Sequence, residues 1–489
     1  MTTVLALSPL LVVAIGGCLM MLADVFAKDR SELAFTTAVT LGIGAILAAA
    51  LAVMGPPEGQ IDSLGGHLAL DRLTYFVTAV TGLGGALSAL LAGGHLQEHG
   101  IERGEFYPLL LFATLGAMIL AAATDLLTLF IGLETMSLGA YCMTAFRRSS
   151  PRSAEGGVKY FLLSSFAAAI LLYGGALLYG VTGHTGLVAI AQSLGSGKAG
   201  DPLAVVALAL LVIGLAFKVG AVPFHMWAPD AYEGAPTPAT AFMASVVKAA
   251  AFAAMIRVLL RAFGDSTSSS ALAGWPPIVA GLTLATLIVA NLAAVRQSSV
   301  KRMLAYSSLA HAGYVMIGLL AAWRTGEHGR ASMLFYLLAY AASTAGAFGG
   351  LILCGSKGKE AVSYEDLAGI GRRHPAVALP FAFFLLSLAG IPPTAGFFAK
   401  YYVFSAAVEA GGGMVILAIV GALSSAVGLF YYLRVLVFMY MREPAAGAAV
   451  AVPMKSGYVV AALGIAAVLV LLIGAFPGPV LEVALSAAK

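Results

Sequence analysis

Residues 214–230 read GLAFKVGAVPFHMWAPD. An apolar run carries Lys218 in its interior and then meets Gly220 and Pro223. Proline lacks a backbone donor and clashes with the preceding turn, and glycine loosens it further, so a helix breaks here. A second stretch, LSLAGIPPTAGFFAK at 386–400, breaks at Gly390, Pro392 and Pro393 and carries Lys400 beyond the break. An ammonium among apolar residues is costly unless it faces a protein interior or water, so such lysines mark an ion or proton path. Two further charges are embedded the same way: Lys248 in ATAFMASVVKAAAFAAM (239–255) and Glu134 in LLTLFIGLETMSLGAY (126–141).

The rest of the chain supplies a membrane for these breaks to sit in. Of 489 residues, 60% are apolar and 10% charged, and the mean hydropathy is +0.95. Soluble proteins carry about 25% charged residues. About fourteen apolar segments match the ~20 residues a bilayer needs. Their cores lie near 4–24, 33–54, 73–93, 107–123, 125–146, 159–180, 202–228, 238–262, 277–295, 302–321, 331–354, 375–408, 413–440 and 456–476. The fold class is therefore an all-α polytopic membrane protein, and the abundant Gly and Ala suit close helix packing in lipid. The first segment lacks a basic n-region and reads as a retained helix. Cys18, Cys142 and Cys354 are far apart, and neither a CxxC pair nor a phosphate-cradling glycine motif is present. No metal, iron–sulfur or nucleotide cofactor is expected in this chain, and the net charge of +4 carries no nucleic-acid signal.

Backbone groups freed by a break at membrane depth are tolerated only inside protein or beside water. The two breaks lie five segments apart, and an odd offset reverses membrane direction, so the halves read as inverted repeats. Segments 4–8 (105–263) and 9–13 (276–441) form the repeats. Residues 1–104 (segments 1–3) and 442–489 (segment 14) lie outside them. With an even number of segments both termini share a side. Placing them outward puts sixteen Lys and Arg on inner loops, Lys28, Arg30, Lys357 and Lys359 among them, against seven on outer loops. That asymmetry puts both termini in the periplasm.

Each polar residue has two readings. Glu134 beside Lys218 is a switch, since proximity keeps both ionised and separation lets the lysine release its proton; the alternative is a static salt bridge. Lys248, in the middle of an unbroken helix, is a relay site or a lysine bonded to freed carbonyls. Lys400 is an exit-side site or a carbonyl cap. His225, just after Pro223, is a relay group or a satisfied structural histidine. His311 shares a helix face with Ser307 and Ser308 one turn earlier, as a bridge between relay sites or as interhelical glue. Lys159 stands at a helix start, where snorkelling is expected, with a supporting place in the proton path as the other reading. His95 and His99 have metal-ligand spacing, but their Glu-rich surroundings read as a solvated loop.

The segments FKVGAVPFHMWAPDAYEGAPTP, KRMLAYSSLAHAGY and LAGIPPTAGFFAKYY together resemble the antiporter-like membrane subunits of respiratory complex I, over roughly residues 105–440. The resemblance implies fourteen helices, inverted five-helix repeats, and discontinuous seventh and twelfth helices. It implies proton-transfer roles for Glu134, Lys218, Lys248 and Lys400, with His225 as the histidine after the first break. A lysine at 400 and a chain that stops soon after segment 14 fit the N-type branch rather than the M-type or L-type. The implied function is proton translocation from cytoplasm to periplasm in a bacterial inner membrane, within an NADH–quinone oxidoreductase. NADH, FMN, iron–sulfur clusters and quinone are expected in partner subunits. The expected neighbours are an M-type antiporter-like subunit, small J/K-type heel-side subunits and the lipid bilayer. The alternative is a subunit of a multisubunit cation/proton antiporter.

Overall fold

The structure is a computed structural model that describes residues 2–27, 31–56, 61–63, 65–264, 274–355, 360–444 and 451–489. Lys28, Arg30, Lys357 and Lys359 of the inner-loop set lie outside the described residues. Long apolar runs form helices because internal hydrogen bonding is what satisfies the backbone without water. Twelve described helices are long and apolar enough to cross a membrane.

The first part contains α1 (Thr2–Phe26), α2 (Ser31–Met54) and α3 (Arg72–Glu98). A short antiparallel hairpin, β1 (Ile61–Ser63) with β2 (Leu68–Leu70), joins α2 to α3, a small departure from the all-α expectation. There follow α4 (Phe106–Ala122), α5 (Leu126–Thr144), α6 (Pro151–Thr182), the short α7 (Leu187–Gly195), α8 (Pro202–Val219) and α9 (Ala228–Gly234). Next comes α10, one rod over Thr237–Ala262. The second half comprises α11 (Trp275–Val295), α12 (Val300–Thr325), α13 (Glu327–Leu353), the single turn α14 (Ile370–Arg373), α15 (Pro375–Ala389) and α16 (Ala395–Ala410). It ends with α17 (Gly413–Met441), α18 (Gly457–Ala475) and an extra terminal helix, α19 (Pro477–Ala488).

Sequence sets where these helices start. Asp71 accepts from Thr74 N–H at the head of α3, and Asp125 accepts from Leu127 and Thr128 N–H at the head of α5. Ser150 with Pro151, and Asp201 with Pro202, open α6 and α8; Ser299 caps α12. Such caps satisfy donors that a helix start otherwise leaves free. Close crossings depend on glycine. A Cβ at Gly116 would fall 2.3 Å from Met136 N, and one at Gly132 would fall 2.6 Å from Leu120 N, so α4 and α5 touch backbone to backbone.

Four helices, α3, α10, α12 and α13, are enclosed on nearly all sides, whereas α1, α6 and α17 expose most of their surface. A helix that is apolar all round belongs in such an interior. α13 packs against α3, α10, α12, α15, α16 and α18, so it is the post around which the rest assembles. Lys218, Lys248, His311 and Lys400 are carried by this inner set and by the two broken helices beside it.

Candidate functional site

Both breaks are built alike. α8 ends at Gly220 (φ 76°) and α15 at Gly390 (φ 86°), each in the left-handed conformation that glycine adopts without strain. At the first, Ala221 N–H donates to Ala216 C=O; at the second, Ile391 N–H donates to Leu386 C=O. This is the Schellman closure, which stops a helix while satisfying its last carbonyls. Both breaks then contain a cis X-Pro bond, Val222–Pro223 and Pro392–Pro393. A Cβ at Gly396 would fall 1.8 Å from Ser387 O, so α16 runs hard against the end of α15.

Lys218, in the last turn of α8, is buried. Its ammonium donates to Ser137 Oγ at 2.6 Å and to Ser164 Oγ at 3.0 Å. It lies 5.5 Å and 5.7 Å from the ring centres of Tyr141 and Tyr160, where the ring quadrupoles attract a cation. Glu134 sits one turn before Ser137 on α5, near enough for its charge to act on Lys218. The two do not approach within 4 Å among the described residues, and Glu134 Oε1 is buried without a hydrogen-bond partner. The direct pair expected from sequence is therefore open here, with two serines standing in for the carboxylate.

Lys248 is buried in α10, and its ammonium donates to the backbone carbonyl of Ser308 on α12. The rod is continuous, as expected, but not uniform: Met243–Val247 and Ile256–Ala262 are π-helical, and Lys248 follows the first of these wide turns directly. Such turns recur at functional sites. Ser308 Oγ accepts from Tyr340 OH at 2.8 Å. His311 is hydrogen-bonded through Nδ1 to Tyr336 OH at 2.7 Å and through Nε2 to Tyr432 OH at 3.1 Å, and Tyr432 OH also meets Ser307 Oγ. The His311 ring packs on Tyr340, 4.8 Å between centres, and on Tyr314, 5.7 Å between centres, and the Lys400 ammonium lies 5.5 Å from the Tyr314 ring, so His311 touches the surroundings of both lysines. A cavity of about 10 Å³, the size of one water, lies between His311 and the second break and is lined by Ser343, Ser387 and Gly396 among others.

Lys400 lies on α16, ten residues past Gly390, yet its ammonium turns back to Ala389 C=O at 2.8 Å and to Ser425 Oγ at 2.8 Å. The carbonyl-cap reading thus describes its contacts. It also places the cation at the negative C-terminal end of α15, the equivalent of Lys218 at the end of α8.

The supporting residues divide. Ser307, Ser308 and His311 join the row. His225 lies in the first break with Nδ1 unpartnered, and no described hydrogen bond or ion pair ties it to the lysines. Lys159 is 43% exposed and pairs with Glu155 at 2.5 Å and Asp230 at 2.8 Å, so it stands at a helix end apart from the buried row. Arg302 also holds Asp230, at 2.7 Å, and Glu233, at 3.2 Å. These contacts tie the segment after the first break to α6 and α12. Burial raises the Asp230 carboxyl, but Lys159 and Arg302 outweigh it and hold the group below the usual range. Its contribution to stability is therefore complete above about pH 4 and disappears as the pH falls through the depressed value. In thermal unfolding, Asp230→Asn is expected to lie below wild type at pH 7, with the gap closing on acidification below about pH 4.

His95 and His99 correct the sequence reading. Both are buried, His95 within α3, because Glu360 and Lys301 close over them; they are not in a solvated loop. What sequence reading missed is the tyrosine and serine lining: Tyr141 and Tyr160 around Lys218, and Tyr336, Tyr340 and Tyr432 around His311. The i,i+4 spacing of Tyr336 and Tyr340 in one apolar helix was the available signal. Ser164 and Ser425 carried none, since each comes from another helix.

The family profile of NADH:quinone oxidoreductase/Mrp antiporter transmembrane domains matches residues 123–426. NADH-quinone oxidoreductase subunit N 1 of Sorangium cellulosum is 59% identical over 99% of this chain and 98% of its own length. Subunit N of Myxococcus xanthus is 41% identical over 98% and 96%. Among solved structures, a chain of respiratory complex I from Thermus thermophilus with bound aureothin superposes with TM-score 0.79 and 34% identity, covering 97% of this chain and 98% of that one. A chain of the Mrp complex from a Dietzia species superposes with TM-score 0.86 at 24% identity, over 99% and 97%, which shows a shared fold. The chain belongs to the NADH:quinone oxidoreductase/Mrp antiporter transmembrane family, and within it to the subunit N branch of NADH-quinone oxidoreductase.

Proposed function

We propose that this chain is a proton-translocating membrane-arm subunit of NADH–quinone oxidoreductase, with Glu134, Lys218, Lys248 and Lys400 as its proton-transfer residues and His311, Ser307 and Ser308 bridging the last two lysines. The carrying observation is the continuity of the inner row: Lys248 on Ser308, Ser308 on Tyr340, Tyr340 against His311, and His311 against Tyr314, whose ring faces Lys400. Hydroxyls and imidazole both give and accept protons, so such a row relays them once water fills its gaps. Protons enter from the cytoplasm near Glu134 and Lys218, cross through Lys248 and leave by Lys400 to the periplasm. The Schellman closure shared by the two breaks supports paired inverted repeats at 105–263 and 276–441. The chain sits in a bacterial inner membrane with both termini periplasmic, beside an M-type subunit and small J/K-type subunits. NADH, FMN, iron–sulfur clusters and quinone belong to partner subunits.

The test is the assembled complex in proteoliposomes carrying Lys400→Met. The expected outcome is a lowered proton-to-electron ratio with assembly intact and no response to Na⁺. A wild-type ratio overturns the assignment of Lys400. Pumping that depends on Na⁺ favours the cation/proton antiporter reading, which the shared fold keeps open.

A further inference from the structure

A second polar cluster lies away from the lysine row, where the end of α3 meets the segment after α13. His95 and His99 are one helical turn apart with stacked rings, 4.2 Å between centres and 29° between planes. Glu360 faces them, its Oε1 3.2 Å from His95 Nε2. His95 is 1% exposed. His95 Nε2 meets only that carboxylate, and neither His95 Nδ1 nor His99 Nε2 has a hydrogen-bond partner among the described residues. Buried polar atoms normally have partners, and two orphaned nitrogens on adjacent imidazoles call for one.

The tautomer of one ring follows from its contacts. His99 Nδ1 lies 2.9 Å from His95 C=O, which can only accept, so Nδ1 carries the proton. Nε2 of His99 is then the ring's acceptor, buried without a hydrogen-bond partner among the described residues. An imidazole that donates one N–H to a backbone carbonyl and aims its other nitrogen at an empty point is oriented as a metal ligand. Glu360 is held for the same task. Its Oε2 accepts from Lys301 at 3.1 Å and from Thr237 at 3.0 Å, which leaves Oε1 turned toward His95. The ligand atoms of His95, His99 and Glu360 all lie within 4.8 Å of one another. A cavity of about 10 Å³ is lined by all three and by Thr237, enough for one ion or water.

We propose that His95, His99 and Glu360 form a binding site for a divalent transition-metal ion of the Zn²⁺ class. Two neutral imidazoles and one carboxylate oxygen are a donor set that zinc takes in tetrahedral geometry, with water in the fourth position. Ligand atoms around such an ion stand about 3.4 Å apart, so side-chain rotations of about 1 Å close the site. Ca²⁺ and Mg²⁺ are disfavoured, because they want oxygen shells. The site joins α3 to the segment entering α14. Through Glu360 it also touches Thr237 at the foot of α10 and Lys301 at the foot of α12, so a bound ion braces the bases of the two helices that carry Lys248 and His311.

The test uses the purified assembled complex after chelator treatment, titrated with Zn²⁺ against a chromogenic competitor. Wild type is compared with a His95→Gln/His99→Gln double variant. The expected result is one Zn²⁺ equivalent that the double variant loses, and that His99→Gln alone binds at least ~10-fold more weakly. X-ray absorption of the loaded wild type is expected to show two imidazoles near 2.0–2.1 Å. Equal stoichiometry and affinity in wild type and variant overturn the proposal, as does a purely sulfur-ligated Zn²⁺. Should the double variant fail to assemble, His99→Gln decides alone, since its ring makes a single described hydrogen bond, to backbone.

Discussion

Replacing Lys218 by methionine is expected to lower the proton-to-electron ratio of the assembled complex and to slow NADH–quinone turnover by ~10-fold or more. Methionine matches the length of the lysine stem and fills the same space without a charge or a proton. Lys218 is the group through which Ser137 on α5 and Ser164 on α6 are tied to the end of α8. Removing the ammonium takes away the charge that Glu134 responds to, and with it the coupling between the two halves of the switch. Oxidation of NADH by an artificial acceptor, which bypasses the membrane arm, is expected to stay at the wild-type rate. Glu134→Gln is expected to act in the same direction. A fully assembled Lys218→Met complex that pumps at the wild-type ratio would falsify the role assigned to this lysine.

Asp71→Asn is expected to destabilise the folded chain by about 3–5 kcal/mol, the cost of leaving a buried charge without its partner. Arg257, 3% exposed on α10, meets Asp71 through two parallel bonds of 2.6 Å, and also donates to Ala121 C=O and Thr74 Oγ. Burial alone raises the Asp71 carboxyl, but the Arg257 charge and the hydrogen bonds together hold it below its ordinary value. The aspartate also caps α3, and asparagine caps a helix equally well, so the substitution isolates the charge. Thermal unfolding of the solubilised complex is the measurement, with assembly yield as a second reading. A variant that unfolds within about a degree of wild type would mean that water, and not Asp71, neutralises the guanidinium. The consequence reaches the functional row, because Arg257 anchors one end of the helix that carries Lys248.

The legible part of this protein follows from single-segment rules. The membrane helices were readable because a bilayer demands length and apolarity of each segment independently. The breaks were readable because glycine and proline act within one turn of chain. The four embedded charges stood out because each is anomalous against its own neighbours. Pairings between segments were not legible in this way. Ser164 and Ser425 look like ordinary helix serines until α6 and α17 bring them to Lys218 and Lys400. The burial of His95 and His99 is not legible, because it depends on Glu360, more than 250 residues away in sequence.

The lysines beside the breaks show where the division falls. Composition and spacing alone determine that two helices break, that each break lies near a lysine, and that the cations cannot reach water along their own segments. Read linearly, the two are mismatched, since Lys218 precedes its break and Lys400 follows. The tertiary structure resolves this. Because α16 starts hard against the end of α15, the Lys400 stem reaches Ala389 and sets its ammonium at the C-terminal end of a half-helix, as Lys218 is set on α8. The physical reason is reach: sequence fixes where a side chain is attached, whereas a long flexible stem lets the packing of neighbouring helices decide where its charge resides.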